Sequence, residues 1–305
     1  MSAAVSAERP YLSLPDALLL LVVIIWGSNF SIVKVALESM PPLGFNAIRL
    51  VIAATVLLVV SRRAGFRMPA AADWRRLLAL GLAGHCAYQL TFVSGLARTS
   101  VTNSSLIAGC LPVTVLLLNA ASRDREPVGW LQWVGVGLAF IGLYLVVGAG
   151  AELSLDSLEG DLLVMASVWC WGWYTVGSRE LLERYSPLQV TTCTMLIGTL
   201  GFLPFGVPSL LATDWTGVGV WAWVGLVASG VLAISLGHVL WYVGVQRLGG
   251  ARTALYSNLI PVVAIGVAAL TLREPIGTAK VVGAALVLVA LALTRSERQP
   301  APRQS

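Results

Sequence analysis

The chain has 305 residues, of which 57% are hydrophobic and 11% are charged. Soluble domains carry about 25% charged residues, so this composition excludes an ordinary water-soluble fold and indicates an integral membrane protein. The formal net charge is +5, but the basic residues lie in short segments between apolar runs. Because they form no continuous patch, they argue against a nucleic-acid-binding protein.

Ten apolar segments follow one another along the chain, each long enough to cross a hydrocarbon core about 30 Å thick. Because lipid offers no partners for free backbone groups, these segments are predicted to be α-helices. The predicted spans are 14–36, 43–61, 74–96, 101–121, 127–148, 160–179, 187–209, 217–242, 250–271 and 276–294. The first lacks a small-residue cleavage site after it, so we expect it to remain as a helix. The predicted fold class is an all-α polytopic membrane protein with ten transmembrane helices.

The distribution of basic residues predicts the orientation of these helices. With ten spans both termini lie on one side, and fifteen arginines fall on that side. The other side receives Lys34, Arg98, Arg273 and Lys280. Since cytoplasmic loops carry the excess of positive charge, both termini are predicted to be cytoplasmic.

The two halves of the sequence repeat one another. At a shift of 145 residues, Asp16, Trp26, Gly27, Lys34, Glu38 and Pro42 fall on Asp161, Trp171, Gly172, Arg179, Glu183 and Pro187. At a shift of 149, Gly95, Arg98, Leu106 and Pro112 fall on Gly244, Arg247, Leu255 and Pro261. Each half holds five spans, an odd number, so the second copy is inverted in the membrane. We divide the chain into two five-helix repeats, 1–150 and 151–305. Inverted copies around a midplane site can open that site to either side in turn.

A resemblance to a known family rests on a further set of residues. These are the run from Trp26 to Phe30 with Lys34 beyond it, the prolines Pro112 and Pro261, and the Arg-Glu-Pro turns at 125–127 and 273–275. Together they resemble the EamA-type group of the drug/metabolite transporter superfamily, over residues 14–294. The resemblance implies a ten-helix carrier with a central cavity lined by both repeats. It also implies a bacterial inner-membrane exporter of amino acids or similar metabolites.

The candidate substrate-binding residues are polar or aromatic side chains inside predicted spans, which must face the bundle interior or a wet cavity. They are Trp26 and Asn29 in the first span, His85, Tyr88 and Gln89 in the third, Trp169 and Trp173 in the sixth, and His238 and Tyr242 in the eighth. His85 with Tyr88 resembles a pair that lines the cavity of aromatic-amino-acid exporters in this family. The alternative is that such residues hold the bundle together through interhelical hydrogen bonds.

Arg49 lies about six residues into the second predicted span, and two interpretations are open for it. It could hold a substrate carboxylate through a bidentate contact, or it could extend to the nearby interface or serve a structural role.

Aromatic residues dominate the candidate cavity, so we expect a small amphipathic solute bound by stacking and a few hydrogen bonds. No Asp or Glu lies near the middle of a predicted span, so a carboxylate proton relay is not evident. A facilitative carrier or an exchanger is at least as consistent with the sequence as a proton antiporter.

Catalytic chemistry is not indicated by the sequence. An intramembrane enzyme would need a nucleophile with a base, paired carboxylates or a metal cluster, and no such motif is present. The four cysteines have neither CxxC nor metal-ligand spacing, so they predict no disulfide and no metal site. We therefore expect a non-enzymatic transporter without cofactors, with a channel and an intramembrane enzyme as alternatives. The expected partners are a small-molecule substrate and the lipid bilayer, with no nucleic acid, and the expected state is a monomer or weak homodimer.

Overall fold

The computed structural model describes residues 13–121, 129–148 and 155–273, with short stretches between 277 and 290. Regular secondary structure in this part of the chain is helical throughout. The long helices are α1 Leu14–Ala36, α2 Pro42–Arg63, α3 Ala71–Arg98, α4 Val101–Ala121, α5 Trp130–Gly148, α6 Leu155–Gly177, α7 Pro187–Ala212, α8 Val220–Leu248 and α9 Gly250–Thr271. A short helix, Arg179–Arg184, connects α6 to α7.

Seven of the described helices, α1 to α4 and α7 to α9, are long and apolar enough to cross a membrane. This supports the prediction of a polytopic membrane protein. Helices α5 and α6 are not among these seven, and about half of the tenth predicted span, 276–294, lies outside the described residues. The total of ten helices therefore remains a prediction.

The starts of the helices follow from local capping chemistry. At the start of α1 the backbone N–H of Ser13 donates to the Asp16 carboxylate at 3.0 Å, which satisfies a free donor and favours the helix dipole. The Ser100 hydroxyl accepts from the backbone N–H of Asn103 at the start of α4. Helix α7 begins at Pro187, whose fixed φ suits the first helical position.

Two helices contain wide turns with π-helical hydrogen bonding. These segments are Leu82–Ala87 in α3 and Ser229–Leu236 in α8. Such bulges are common at functional sites because they change which side chains face inward. In this protein the third and eighth helices, which correspond in the predicted repeat, both carry one.

Helices α4 and α9 are interrupted near their centres. Helix α4 has a turn at Gly109 and Cys110, just before Pro112. Helix α9 tightens to a 3-10 helix over Tyr256–Leu259, just before Pro261. Proline lacks an N–H and clashes with the preceding turn, so both interruptions have a cause in the sequence.

The main interfaces join a helix of the first half to a helix of the second half. Helix α1 packs against α8 and α9, α2 against α7, α3 against α6, and α4 against α6 and α9. At the interface of α3 with α6, Gly84 allows close approach, because an added Cβ would lie 2.2 Å from Cδ2 of Tyr174. The buried core therefore lies between the halves rather than within each of them.

A polar cluster, which we name the Asp16 cluster, ties the start of α1 to α9. The Asp16 carboxylate accepts hydrogen bonds from the Tyr256 hydroxyl and from Nη2 of Arg252 at 3.3 Å. Asp16 is buried, so this cluster closes the space between α1 and α9 at that end.

A second group, the Asp161 cluster, lies at the other end of α1. The Asp161 carboxylate accepts from the Thr99 hydroxyl at 2.7 Å and from Nδ2 of Asn103 at 3.3 Å, which ties α6 to the start of α4. Lys34, in the last turn of α1, donates to the Thr99 carbonyl at 2.7 Å. Asp16 and Asp161, which correspond in the sequence repeat, therefore lie at opposite ends of α1.

Candidate substrate cavity

A cavity lies between α1, α2, α3, α4, α6, α8 and α9. Its empty space, counting the part that opens to solvent, is about 650 Å³. The residues that line it are Trp26, Asn29, Phe30, Arg49, Tyr88, Gln89, Phe92, Ala108, Leu111, Ser167, Val168, Trp171, Ala233, Ile234, His238, Ser257 and Ile260. Helices of both halves therefore contribute to one cavity.

One side of the cavity is an aromatic wall formed by Trp26, Phe30, Tyr88, Phe92 and Trp171. The Trp26 and Trp171 rings meet edge to face with centroids 5.6 Å apart. Tyr88 lies 5.1 Å from Trp171 and stacks on Phe92 at 5.6 Å. Phe92 then meets Phe30 edge to face at 5.5 Å. These separations are those of favourable aromatic pairs, so the wall is a continuous apolar surface with polarisable faces.

Another side is a polar corner formed by Asn29, Arg49, Gln89 and Ser229. Nη2 of Arg49 donates to Oε1 of Gln89 at 2.7 Å, and Nη1 donates to the Ser229 hydroxyl at 3.1 Å. Ser229 in turn donates to Oδ1 of Asn29. The Arg49 side chain is 1% exposed, and its guanidinium carbon lies 5.3 Å from the Phe45 ring centroid. The interpretation that Arg49 extends to an outer interface is therefore wrong.

The π-helical segment of α8 fixes the position of Trp26. The indole N–H of Trp26 donates to the backbone carbonyl of Ala233 at 2.8 Å, and this carbonyl lies inside the π-helical segment. Gly237 permits the contact, because an added Cβ would lie 2.5 Å from the indole nitrogen. His238 lies beside the same ring, with centroids 5.8 Å apart. The wide turn thus supplies both a hydrogen-bond acceptor and the space for the indole.

His85 and Tyr242 lie behind the cavity rather than on its surface. Nε2 of His85 is 3.0 Å from the Tyr174 hydroxyl and 3.2 Å from the Thr194 hydroxyl, and its ring stacks on His238 at 5.2 Å. Tyr242 stacks on Tyr174 at 4.6 Å. Both side chains are buried, and neither lines the cavity. They support the lining residues from the second layer of the bundle.

Two predicted residues, Trp169 and Trp173, lie elsewhere. They are 44% and 39% exposed and are not among the lining side chains. Trp171 occupies the inward position instead, because α6 turns the face of Ser167 and Trp171 towards the cavity. Aromatic residues at every second position gave no periodic signal to choose between them. Ser167, a polar residue four positions before Trp171, is the signal that identifies this face.

Of the nine predicted site residues, five line the cavity. These are Trp26, Asn29, Tyr88, Gln89 and His238. The structure adds Trp171, and it places Arg49 beside them.

Four pairs of lining residues are related by the shifts of the sequence repeat. Trp26 corresponds to Trp171 at a shift of 145, and the other three pairs correspond at a shift of 149. Those pairs are Gln89 with His238, Ala108 with Ser257, and Leu111 with Ile260. Residues at equivalent positions of the two halves thus meet around one cavity.

Comparison with known proteins agrees with this arrangement. The model of the EamA-like transporter family matches residues 13–148 and again 158–296. A solved crystal structure aligns with a TM-score of 0.72 over 92% of this chain and 96% of that chain, at 18% identity. At this identity the likeness concerns the fold alone.

Relatives over most of the chain carry transporter names. One from Streptantibioticus cattleyicolor, named "Probable terminal-alkyne amino-acid exporter", is 30% identical over 90% of this chain and 91% of its own length. "Uncharacterized transporter YyaM" of Bacillus subtilis is 27% identical over 86% of this chain and 87% of its own length. A Salmonella typhimurium protein named "Probable amino-acid metabolite efflux pump" is 24% identical, with coverages of 90% and 92%. The chain therefore belongs to the EamA-like transporter family, and it is a multi-pass membrane transporter of small molecules, not an enzyme.

Proposed function

We propose that this protein is an inner-membrane secondary transporter that exports amino acids or similar small amphipathic metabolites by alternating access. The observation that carries the proposal is a cavity whose lining includes four pairs of residues from equivalent positions of the two halves. A site held between two inverted copies can open to one side when the copies exchange conformations. This exchange of conformations between the two copies requires no catalytic side chain.

The proposed architecture is two inverted five-helix repeats, 1–150 and 151–305, with ten spans and both termini in the cytoplasm. Three observations support it. The family model matches twice along the chain. The π-helical segments fall in corresponding helices, α3 and α8, and the interruptions near the two prolines fall in α4 and α9. Helices of one chain line the cavity, which agrees with a monomer or weak homodimer.

The proposed substrate class follows from the two sides of the cavity. The aromatic wall suits an apolar body of the substrate, and the polar corner suits a charged or hydrogen-bonding group. The names of two relatives point to amino acids or their metabolites. We propose Trp26, Asn29, Tyr88, Gln89 and His238 as binding residues, together with Arg49 and Trp171.

Counterflow in proteoliposomes tests this function. Vesicles containing the purified chain are loaded with one unlabelled solute and exposed to trace amounts of the same radiolabelled solute. A transporter should show transient accumulation that saturates with concentration and that is absent from protein-free vesicles. If no amino acid or related metabolite shows counterflow, the proposed function is wrong.

Labelling of single cysteines at the two termini in intact cells and in inverted vesicles tests the orientation.

A further inference from the structure

Arg49 is a buried cation without a resident anion. Its side chain is 1% exposed, and its two hydrogen-bond acceptors, Gln89 and Ser229, are both neutral. Among the described residues no Asp or Glu forms an ion pair with it. Burying an unpaired charge costs several kcal/mol. A cation kept at this cost beside a cavity indicates an anion that binds there during the working cycle.

Two buried donors that belong to lining residues agree with such a ligand. Nε of Arg49 has no acceptor among the described residues, and neither does the indole nitrogen of Trp171. The guanidinium therefore keeps an unused N–H beside the one that contacts Gln89. The carboxamide oxygen of Gln89, at 2.7 Å from Nη2, occupies a position that a carboxylate oxygen could take. A bidentate carboxylate would satisfy the unused donor and supply the missing charge.

The charge of the lining also limits the class of anion. With His238 neutral, Arg49 is the only charged side chain among the lining residues that the structure describes. One guanidinium matches the single charge of a carboxylate, whereas a phosphate near −2 would remain unbalanced. The aromatic wall then receives the rest of the molecule.

We propose that the substrates are amphipathic monocarboxylates, with the carboxylate held by Arg49 and the apolar body against the aromatic wall. This inference rests on the proposed transport function and names the group that the site requires. The lining residues that the structure describes include no carboxylate for an α-ammonium group. Such a group could rest on the aromatic faces, but it is not essential for binding. An amino acid and its deaminated acid should therefore both bind.

Two ligand series test this requirement. The aromatic series is phenylalanine, 3-phenylpropionate, 3-phenylpropionamide and phenethylamine; the aliphatic series is leucine, 4-methylpentanoate, its amide and isopentylamine. Thermal unfolding of the purified full-length protein is measured in detergent with sodium sulfate as the salt, so that neither chloride nor a buffer carboxylate can occupy the site. In at least one series, both carboxylate-bearing compounds should raise the unfolding midpoint. The matched amide and amine should not.

Variants locate the effect at Arg49. Arg49→Gln should weaken carboxylate binding at least tenfold. Arg49→Lys keeps the positive charge but loses the paired N–H donors of the guanidinium, so it should weaken binding less. Arg98→Gln is the matched control, because Arg98 is exposed and pairs with Glu159 at 3.4 Å. It should bind as the wild type does. If Arg49→Gln fails to fold, the ligand series on the wild-type protein decides the question.

Three results would overturn the inference: no carboxylate binds, the amide or amine binds as tightly as the acid, or folded Arg49→Gln keeps wild-type affinity. Counterflow distinguishes failure of the carboxylate site from failure of the proposed transport function. Binding of carboxylates through Arg49 without counterflow would reject transport and keep the site. Counterflow of solutes that lack a carboxylate, with no carboxylate binding, would reject the site and keep transport.

Discussion

Trp171 joins the rings of three other helices around the cavity. Its ring centroid lies 5.6 Å from Trp26 on α1, 5.1 Å from Tyr88 on α3 and 4.6 Å from His238 on α8. The surface that a ligand body meets is therefore set by this side chain more than by any single neighbour. Its loss should change ligand binding more than it changes the bundle.

The change Trp171→Phe tests the role of this residue. The smaller ring keeps an aromatic face but recedes from its neighbours, and aromatic contacts contribute about 0.5–1.5 kcal/mol each. We expect a three- to tenfold rise in the KM of counterflow for a solute that the wild-type protein transports. Trp169→Phe is the control on the same helix, since Trp169 is 44% exposed and lies outside the lining. Equal KM values for the two variants would show that the wall does not contact substrate.

At the scale of helices, sequence predicts the ends better than the interior. The bounds of α1, α4 and α9 match the predicted spans, because apolar length and flanking Pro or Ser residues fix where a helix can enter lipid. The interruptions before Pro112 and Pro261 also have a signal. The π-helical segment Leu82–Ala87 has none, since it depends on packing against α6 and α7. The burial of Arg49 likewise depends on acceptors from α3 and α8 that are distant in sequence.

The π-helical segment of α3 packs tightly against α6 at Gly84. In Gly84→Ala the new methyl group would lie 2.2 Å from Cδ2 of Tyr174, and Tyr174 is fully buried, so it cannot move away at low cost. Overpacking of this kind costs about 1–3 kcal/mol. We expect a lower unfolding midpoint in detergent. Gly137→Ala on α5 is the control, because no atom of the described residues lies within 4 Å of its added Cβ. A similar midpoint for both variants would contradict the tight contact of α3 with α6.

For the whole molecule, the packing of each half on helices of the other is consistent with the proposed alternating access. Helix α1 packs on α8 and α9, and its counterpart α6 packs on α3 and α4. The Asp16 cluster ties α1 to α9, and the Asp161 cluster ties α6 to α4. The α1 residues at the two clusters, Asp16 and Lys34, are about 27 Å apart at 1.5 Å per residue. We therefore expect the cavity to open to one side when the cluster at that end separates.

We expect the Asp16 cluster and the Asp161 cluster to act as two gates of the cavity, one at each end. A Ser257→Cys variant, with the four native cysteines replaced by alanine, places one thiol in the cavity lining. Asp161→Ala should raise its labelling by an impermeant reagent from the face where α1 ends, and Asp16→Ala should raise it from the opposite face. Hydrogen bonds to a carboxylate contribute about 1.5–3 kcal/mol each, enough to change the ratio of the two states about tenfold or more.

The control for the gates is Asp214→Ala. Among the described residues the Asp214 carboxylate accepts hydrogen bonds only from Thr216, in the loop between α7 and α8, so its removal should leave labelling from both faces unchanged. Increased labelling from the same face in both gate variants would contradict alternating access through these clusters. Labelling that changes in opposite directions would show that the cavity opens to one side as it closes to the other.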